Sequence, residues 1–224
     1  MIIPTARVSR LYAFVTLLVV IMAGLILGPM LLVSAPDLRV ERYIGMAVLL
    51  AALWAAGVRP KRLLLFVPVV VVHVIVLHTG GTSARVAALG TRAAFLACTV
   101  VLIGLHVLRE HRVTTDTIAG AACVYALIGL LWGNLYDMVA ALNPGAFEIP
   151  AGFLTGPSGE TSFALQYFSF ITLTTVGYGD IHPATPTAAG LAITEAIAGQ
   201  LYVAITIARL VGLQLMQRSG KPDQ

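Results

Sequence analysis

Apolar residues along this chain fall in long, nearly unbroken runs separated by short polar or basic stretches. A bilayer core is crossed by about 20 apolar helical residues, with a working range of about 17–25. The first run is Leu11 to Val33. Arg7 and Arg10 precede it, as they would in a signal peptide, but the run is long for one and no small-residue cleavage site clearly follows. A retained helix is expected, with Gly28-Pro29 predicting a kink or a frayed last turn. The second run is Tyr43 to Val58, ended by Arg59-Pro60-Lys61-Arg62, and the third is Leu63 to His78, with Pro68 inside it. Both are short and need flanking residues in order to span. The fourth is Arg85 to Leu108, interrupted by Arg92; the fifth is Thr117 to Leu142; the sixth is Thr185 to Met216. Between the fifth and sixth the pattern changes to a Gly- and Pro-rich stretch, then an amphipathic one, then Thr174-Thr175-Val176-Gly177-Tyr178-Gly179-Asp180.

Composition sharpens the reading. Of 224 residues, 58% are hydrophobic and 11% charged, and the mean hydropathy is +0.92. Soluble domains carry about 25% charged residues, so a bilayer is the natural solvent for this chain. The formal net charge of +4 does not point to nucleic acid, because the basic residues are scattered among apolar runs and form no patch. They read instead as an orientation signal. With a cytoplasmic N-terminus, the inner segments hold Arg7, Arg10, Arg59, Lys61, Arg62, Arg109, Arg112, Arg209, Arg218 and Lys221, against Arg39, Arg42 and Arg85 outside. That is a positive-inside bias, and six spans return the basic C-terminus to the same side. Cys98 and Cys123 lie inside apolar runs, match no metal spacing and no disulfide framework, and read as small buried hydrophobes.

The chemistry is concentrated in residues 174–180. A strand that aims successive carbonyls at one axis needs unusual backbone angles at alternating positions, and Gly177 and Gly179 adopt positive φ at little steric cost. Thr175 can add a hydroxyl, while Val176 and Tyr178 can point backwards as braces. Extended backbone at membrane depth is tolerated only where protein buries it or a water-filled path runs beside it.

The segment Thr174–Asp180 resembles the signature sequence of potassium channels, in which backbone carbonyls of four strands replace the ion's hydration shell. The surrounding order of outer helix, re-entrant pore helix, filter and inner helix is similar too, over about Thr117 to Met216. The resemblance implies an all-α membrane protein with six transmembrane helices and a re-entrant pore helix and selectivity filter between helices five and six. It implies a homotetramer in membrane lipid, K+ as permeant ion and no cofactor. K+ would be held by Thr175, Val176, Gly177 and Tyr178, with Gly179 completing the filter and Asp180 at the outer mouth. The pore helix is expected from Glu160 to Leu173, with Glu160, Thr161 or Ser162 as cap and its negative C-terminal end toward the ion path. Tyr167 and Phe168 stand where family members often carry tryptophans that support the filter. Ile171 replaces a glutamate that pairs with the outer aspartate in some members, which leaves Asp180 to find another partner, with Tyr167 a candidate.

The last span contains Glu195, Gly199, Gln200 and Arg209. Gly199 lies where the family commonly places a hinge glycine, and it serves either bending or close packing. Glu195 is costly inside a span, by about 2.5–3.5 kcal/mol on insertion scales. It reads as a proton-sensitive gate, a brace behind the filter, or a plain hydrogen bond to the pore helix. Gln200, Val203 and Ile207 share one face by their spacing and are expected to line the cavity. Arg209 reads as a membrane-surface anchor. His182, two residues past Asp180, reads as an exposed loop residue or as a sensor of external pH.

Six spans with a pore loop after the fifth resemble voltage-gated channels, but the fourth span carries only Arg85 and Arg92, seven apart, and the second and third contain no Asp or Glu. Weak or absent voltage dependence is expected. A voltage-gated channel with a reduced sensor, or a potassium-uptake subunit, are the alternatives. An uptake subunit would carry degraded repeats, whereas this chain has one intact motif. No nucleophile–base set, metal motif or phosphate loop suggests an enzyme. The division expected is a peripheral four-helix domain over 1–112, a pore domain over 113–218 and a short cytoplasmic tail over 219–224, in a prokaryotic inner membrane.

Overall fold

The computed structural model describes residues 5–34, 40–55, 81–151, 153 and 162–219. Helix α1 spans Thr5–Ser34 and α2 spans Val40–Ala55. Helix α3 spans Thr82–Arg109 and α4 spans Thr115–Leu142. Strand β1 (Phe147–Glu148), helix α5 (Ser162–Leu173), strand β2 (His182–Pro183) and helix α6 (Pro186–Ser219) follow.

Sequence explains the boundaries. Gly81, at φ 120°, precedes α3. Residues 110–114 are too few to separate two helices, so α3 and α4 pack side by side as a hairpin. Thr114 starts α4: its side chain accepts from the Thr117 backbone N–H, and Asp116 adds a negative charge to the positive end of the helix. At the other end, Asn143 N–H returns to Val139 O at 2.8 Å. The chain then enters β1, which pairs antiparallel with β2 in the register Phe147↔Pro183 and Glu148↔His182. This ladder ties the end of α4 to the segment just after the glycine motif.

Among the described residues, four helices are long and apolar enough to cross a membrane: Arg10–Leu31, Thr82–Arg109, Thr115–Leu142 and Pro186–Gln217. The protein is a multi-pass membrane protein on these features. The apolar part of α2, Ile44–Ala55, is shorter. The expected third span, Leu63 to His78, lies outside the described residues, as do Glu160 and Thr161 at the start of the expected pore helix. Gly28-Pro29 does not end α1, which continues to Ser34.

Two apolar clusters hold the described residues together. The larger packs Phe14, Leu17 and Ile21 of α1 against Leu49 and Ala52 of α2, Phe95 and Ile103 of α3 and Leu127 of α4. The smaller gathers Tyr136 of α4, Phe147 of β1, Leu165 and Phe168 of α5 and Ile181. Cys123 is buried in the first cluster, its thiol donating to Phe14 O at 3.1 Å, whereas Cys98 is exposed, because its face of α3 has no neighbour among the described residues. Helix α6 differs from the rest. Ile193, Ile197, Leu201, Ile205, Val211 and Leu215 are all exposed on the single chain.

Candidate ion-conduction site

Helix α5 launches residues 174–180. Its last turn continues past Leu173 through Thr174 N–H to Phe170 O (3.0 Å) and Thr175 N–H to Thr172 O (3.0 Å). Ile171 O then accepts from both Val176 N–H (2.9 Å) and Gly177 N–H (3.1 Å), which anchors the start of the extended segment on the helix end. Beyond it, φ is positive at Thr175 (61°), Gly177 (54°) and Gly179 (78°). In an ordinary strand, residues of one hand throw successive carbonyls to opposite sides. Alternating the hand at every second residue turns successive peptide planes over and brings the carbonyls to the same side. Glycine takes this conformation without strain, but Thr175 is strained, at a cost of about 1–3 kcal/mol. The carbonyl end of α5, with its partial negative charge, faces the same segment.

Side chains from three helices build the wall on its one covered side. The Tyr167 hydroxyl donates to Asp180 Oδ2 at 2.7 Å, and Ile181 N–H donates to Asp180 Oδ1 at 3.0 Å. Phe168 is buried against Tyr136 and Phe147, ring centroids 5.1 and 5.6 Å away, so it supports by packing where a donor is lacking. Gln200 Nε2 on α6 lies 3.4 Å from Thr175 Oγ1. Gly199 packs so close to the end of α5 that a Cβ there would stand 2.8 Å from Leu173 O. The Tyr125 hydroxyl of α4 donates to that same carbonyl at 3.1 Å. Gln200, Val203 and Ile207 are exposed on α6. Val176 and Tyr178 remain 51% and 73% exposed, so the chain's own α5 does not brace them. The segment has one wall and is open elsewhere.

Glu195 is fully buried where α4, α5 and α6 meet. Its carboxylate accepts from the Tyr136 hydroxyl and from the Ser169 hydroxyl, each at 2.5 Å. Ser169 Oγ also lies 2.8 Å from Gly129 O. Sequence reasoning missed Tyr136 and Ser169, because neither shares a spacing with Glu195. The only signal was the carboxylate itself, which had to have partners. Arg209 is also differently employed than its sequence suggested. Its Nη1 donates to Val107 O at 2.8 Å and its Nη2 to Glu110 O at 3.1 Å and to Leu108 O. It caps the C-terminus of α3, whose last carbonyls have no helical donor of their own. Asp137 of α4 is buried and paired with Arg85 of α3 at 2.7 Å. Glu148 pairs across the β-ladder with His182 at 3.0 Å.

The geometry defines a class first: helix, short helix running into a one-sided carbonyl segment, helix. Residues 146–213 match the family model described as Ion channel, which covers β1 to within two turns of the end of α6 and less than a third of the chain. A curated relative is the two pore potassium channel c of Oryza sativa subsp. japonica, 40% identical over 75 residues. That match covers 34% of this chain and 15% of the relative, so the chain spans a small part of its length. No solved structure matches the chain. The chain thus carries an ion-channel domain, and the two matches support the potassium channel family for it. Neither match is to an enzyme family.

Proposed function

We propose that the chain is one subunit of a potassium-selective channel that conducts passively through a ring of four copies. The observation that carries this is the alternation of positive φ at Thr175, Gly177 and Gly179. Carbonyls turned to one side replace water around an ion only if they surround it, and one chain supplies a single wall. Four walls related by a closed rotation complete the ring. The exposed apolar residues of α6 and the open faces of Val176 and Tyr178 are then covered by neighbouring copies or by lipid. Thr175, Val176, Gly177, Tyr178 and Gly179 form the filter in this reading, with Asp180 held by Tyr167 at its outer end. Gln200 stands at the inner entrance, and Val203 and Ile207 line the cavity beyond it. K+ is the permeant ion, and no cofactor takes part.

The peripheral helices within 1–112 pack on the chain's own α4 in this reading, while 113–218 forms the pore and 219–224 a cytoplasmic tail. The membrane is a prokaryotic inner membrane with both termini cytoplasmic. Arg85 is paired with Asp137, and the ceiling on sensing is set by taking Arg92 as the one charge that moves. One charge across the full field is worth about 2.3 kcal/mol per 100 mV, so four copies supply at most roughly 9 kcal/mol. Voltage dependence is therefore weak.

The test is flux into liposomes holding the purified protein, with potassium and sodium in competition and barium as blocker. Barium-sensitive flux that strongly favours potassium is expected. Equal sodium flux refutes selectivity at this segment.

A further inference from the structure

A cavity of about 50 Å³ lies between α1, α2 and α3 on one side and α4 and α5 on the other. Its walls are mostly aliphatic, but four polar side chains converge on it: Arg92 of α3, Asn134 and Asp137 of α4 and Gln166 of α5. Asn134 is 3% exposed. Its Nδ2 donates to Leu89 O at 2.9 Å, which fixes the orientation of the amide, since the reverse would set oxygen against oxygen. Its Oδ1 is then buried without a hydrogen-bond partner among the described residues. An unsatisfied buried acceptor costs about 1–3 kcal/mol.

We infer that this cavity is an internal hydration site, in which water bound to Asn134 Oδ1 bridges the peripheral helices to α5 at membrane depth. The volume suffices, because a water needs about 10–15 Å³ of such space, and the cavity takes roughly three or four. The polarity suffices as well. Buried water typically makes about three hydrogen bonds, and amide, guanidinium, carboxylate and a second amide all border the space. An apolar cavity of this size would stay dry, and an acyl chain would leave the Asn134 oxygen unsatisfied. The site hydrates Arg92 inside the bilayer. It also reaches α5 directly through Gln166, and so touches the helix that launches residues 174–180. It rests on the helix packing alone and stands whether or not the chain selects potassium.

Gly45 keeps the space open. A Cβ there would meet Arg92 Cζ at 3.5 Å, an ordinary contact, so a small side chain enters without a clash and a large one fills the site. Hydroxyl-radical footprinting by X-ray radiolysis, on the full chain in lipid nanodiscs, reads bound water directly. Ile21 and Leu130 border the cavity. Leu17 and Leu127, one turn away on the same helices, are buried as Ile21 and Leu130 are, but do not border the cavity. Ile21 and Leu130 are expected to oxidise several-fold faster than Leu17 and Leu127. Gly45→Leu should abolish the difference and Gly45→Ala should reduce it. Equal labelling of the two pairs in the unmodified protein overturns the inference, and this comparison holds even if the filled variants fail to fold.

Discussion

Replacing Gly199 by alanine puts a methyl carbon 2.7 Å from Leu173 Cδ1 and 2.8 Å from Leu173 O. Carbon contacts relax at about 3.5–4.0 Å, so roughly 0.8 Å must be found at the first contact. The Leu173 side chain can rotate away. Its carbonyl cannot, because it is backbone at the root of residues 174–180 and already accepts the Tyr125 hydroxyl. The strain falls on the α5–α6 contact, at about 1–3 kcal/mol for overpacking of this kind. Helix propensity acts in the opposite direction: alanine in a helix interior is favoured over glycine by about 1 kcal/mol. The sign therefore separates the two roles of Gly199. A glycine kept for bending gives an alanine variant that is more stable and opens less. A glycine kept for close approach gives one that is less stable and disturbed at residues 174–180. The assay is thermal unfolding in detergent beside liposome flux with the potassium-to-sodium ratio as readout. A lower midpoint and a reduced ratio are expected, with Leu173→Ala restoring the midpoint only in part. An unchanged ratio with a raised midpoint would refute the packing argument.

Three further outcomes are expected. Tyr136→Phe removes one of the two hydroxyl donors to buried Glu195 and should lower the unfolding free energy by about 1–3 kcal/mol. Combined with Ser169→Ala, it should show non-additivity of about 0.5–3 kcal/mol in a double-mutant cycle; strict additivity would mean that the three groups do not act as one network. Arg209→Lys cannot span the carbonyls of Val107, Leu108 and Glu110, and should lose at least about 1.5 kcal/mol, one charge-assisted hydrogen bond, measured by denaturant titration. Equal stability of the lysine variant would show that the guanidinium fork is dispensable. Tyr167→Phe releases Asp180 Oδ2, and potassium flux should decay faster under a sustained gradient while initial selectivity holds; an unchanged decay would leave Asp180 supported by other groups.

Much of this protein was legible from the order of its residues. Long apolar runs can be satisfied only as helices in lipid, because the backbone must bond to itself there, so α1, α3, α4 and α6 announce themselves within a few residues. Gly177 and Gly179 announce an unusual backbone because glycine alone enters positive φ freely. Thr175 shares that conformation although its residue type does not favour it: the bonds into Ile171 O just after it, made only once α5 is formed, are what hold the segment in place.

Tertiary structure decided the partners. Glu195 was conspicuous in sequence, but Tyr136 and Ser169 come from separate helices whose rotation about their axes no spacing encodes. Arg209 looked like one more basic residue at a membrane edge, yet it lies against the open carbonyls of a helix about a hundred residues earlier in the chain. Arg85 and Asp137 lie far apart in sequence and pair across the α3–α4 contact. Periodicity and composition are properties of neighbours along the chain, and they determined the helices and the motif. Ion pairs, caps and the close approach at Gly199 depend on which faces meet, and only packing in three dimensions decided that.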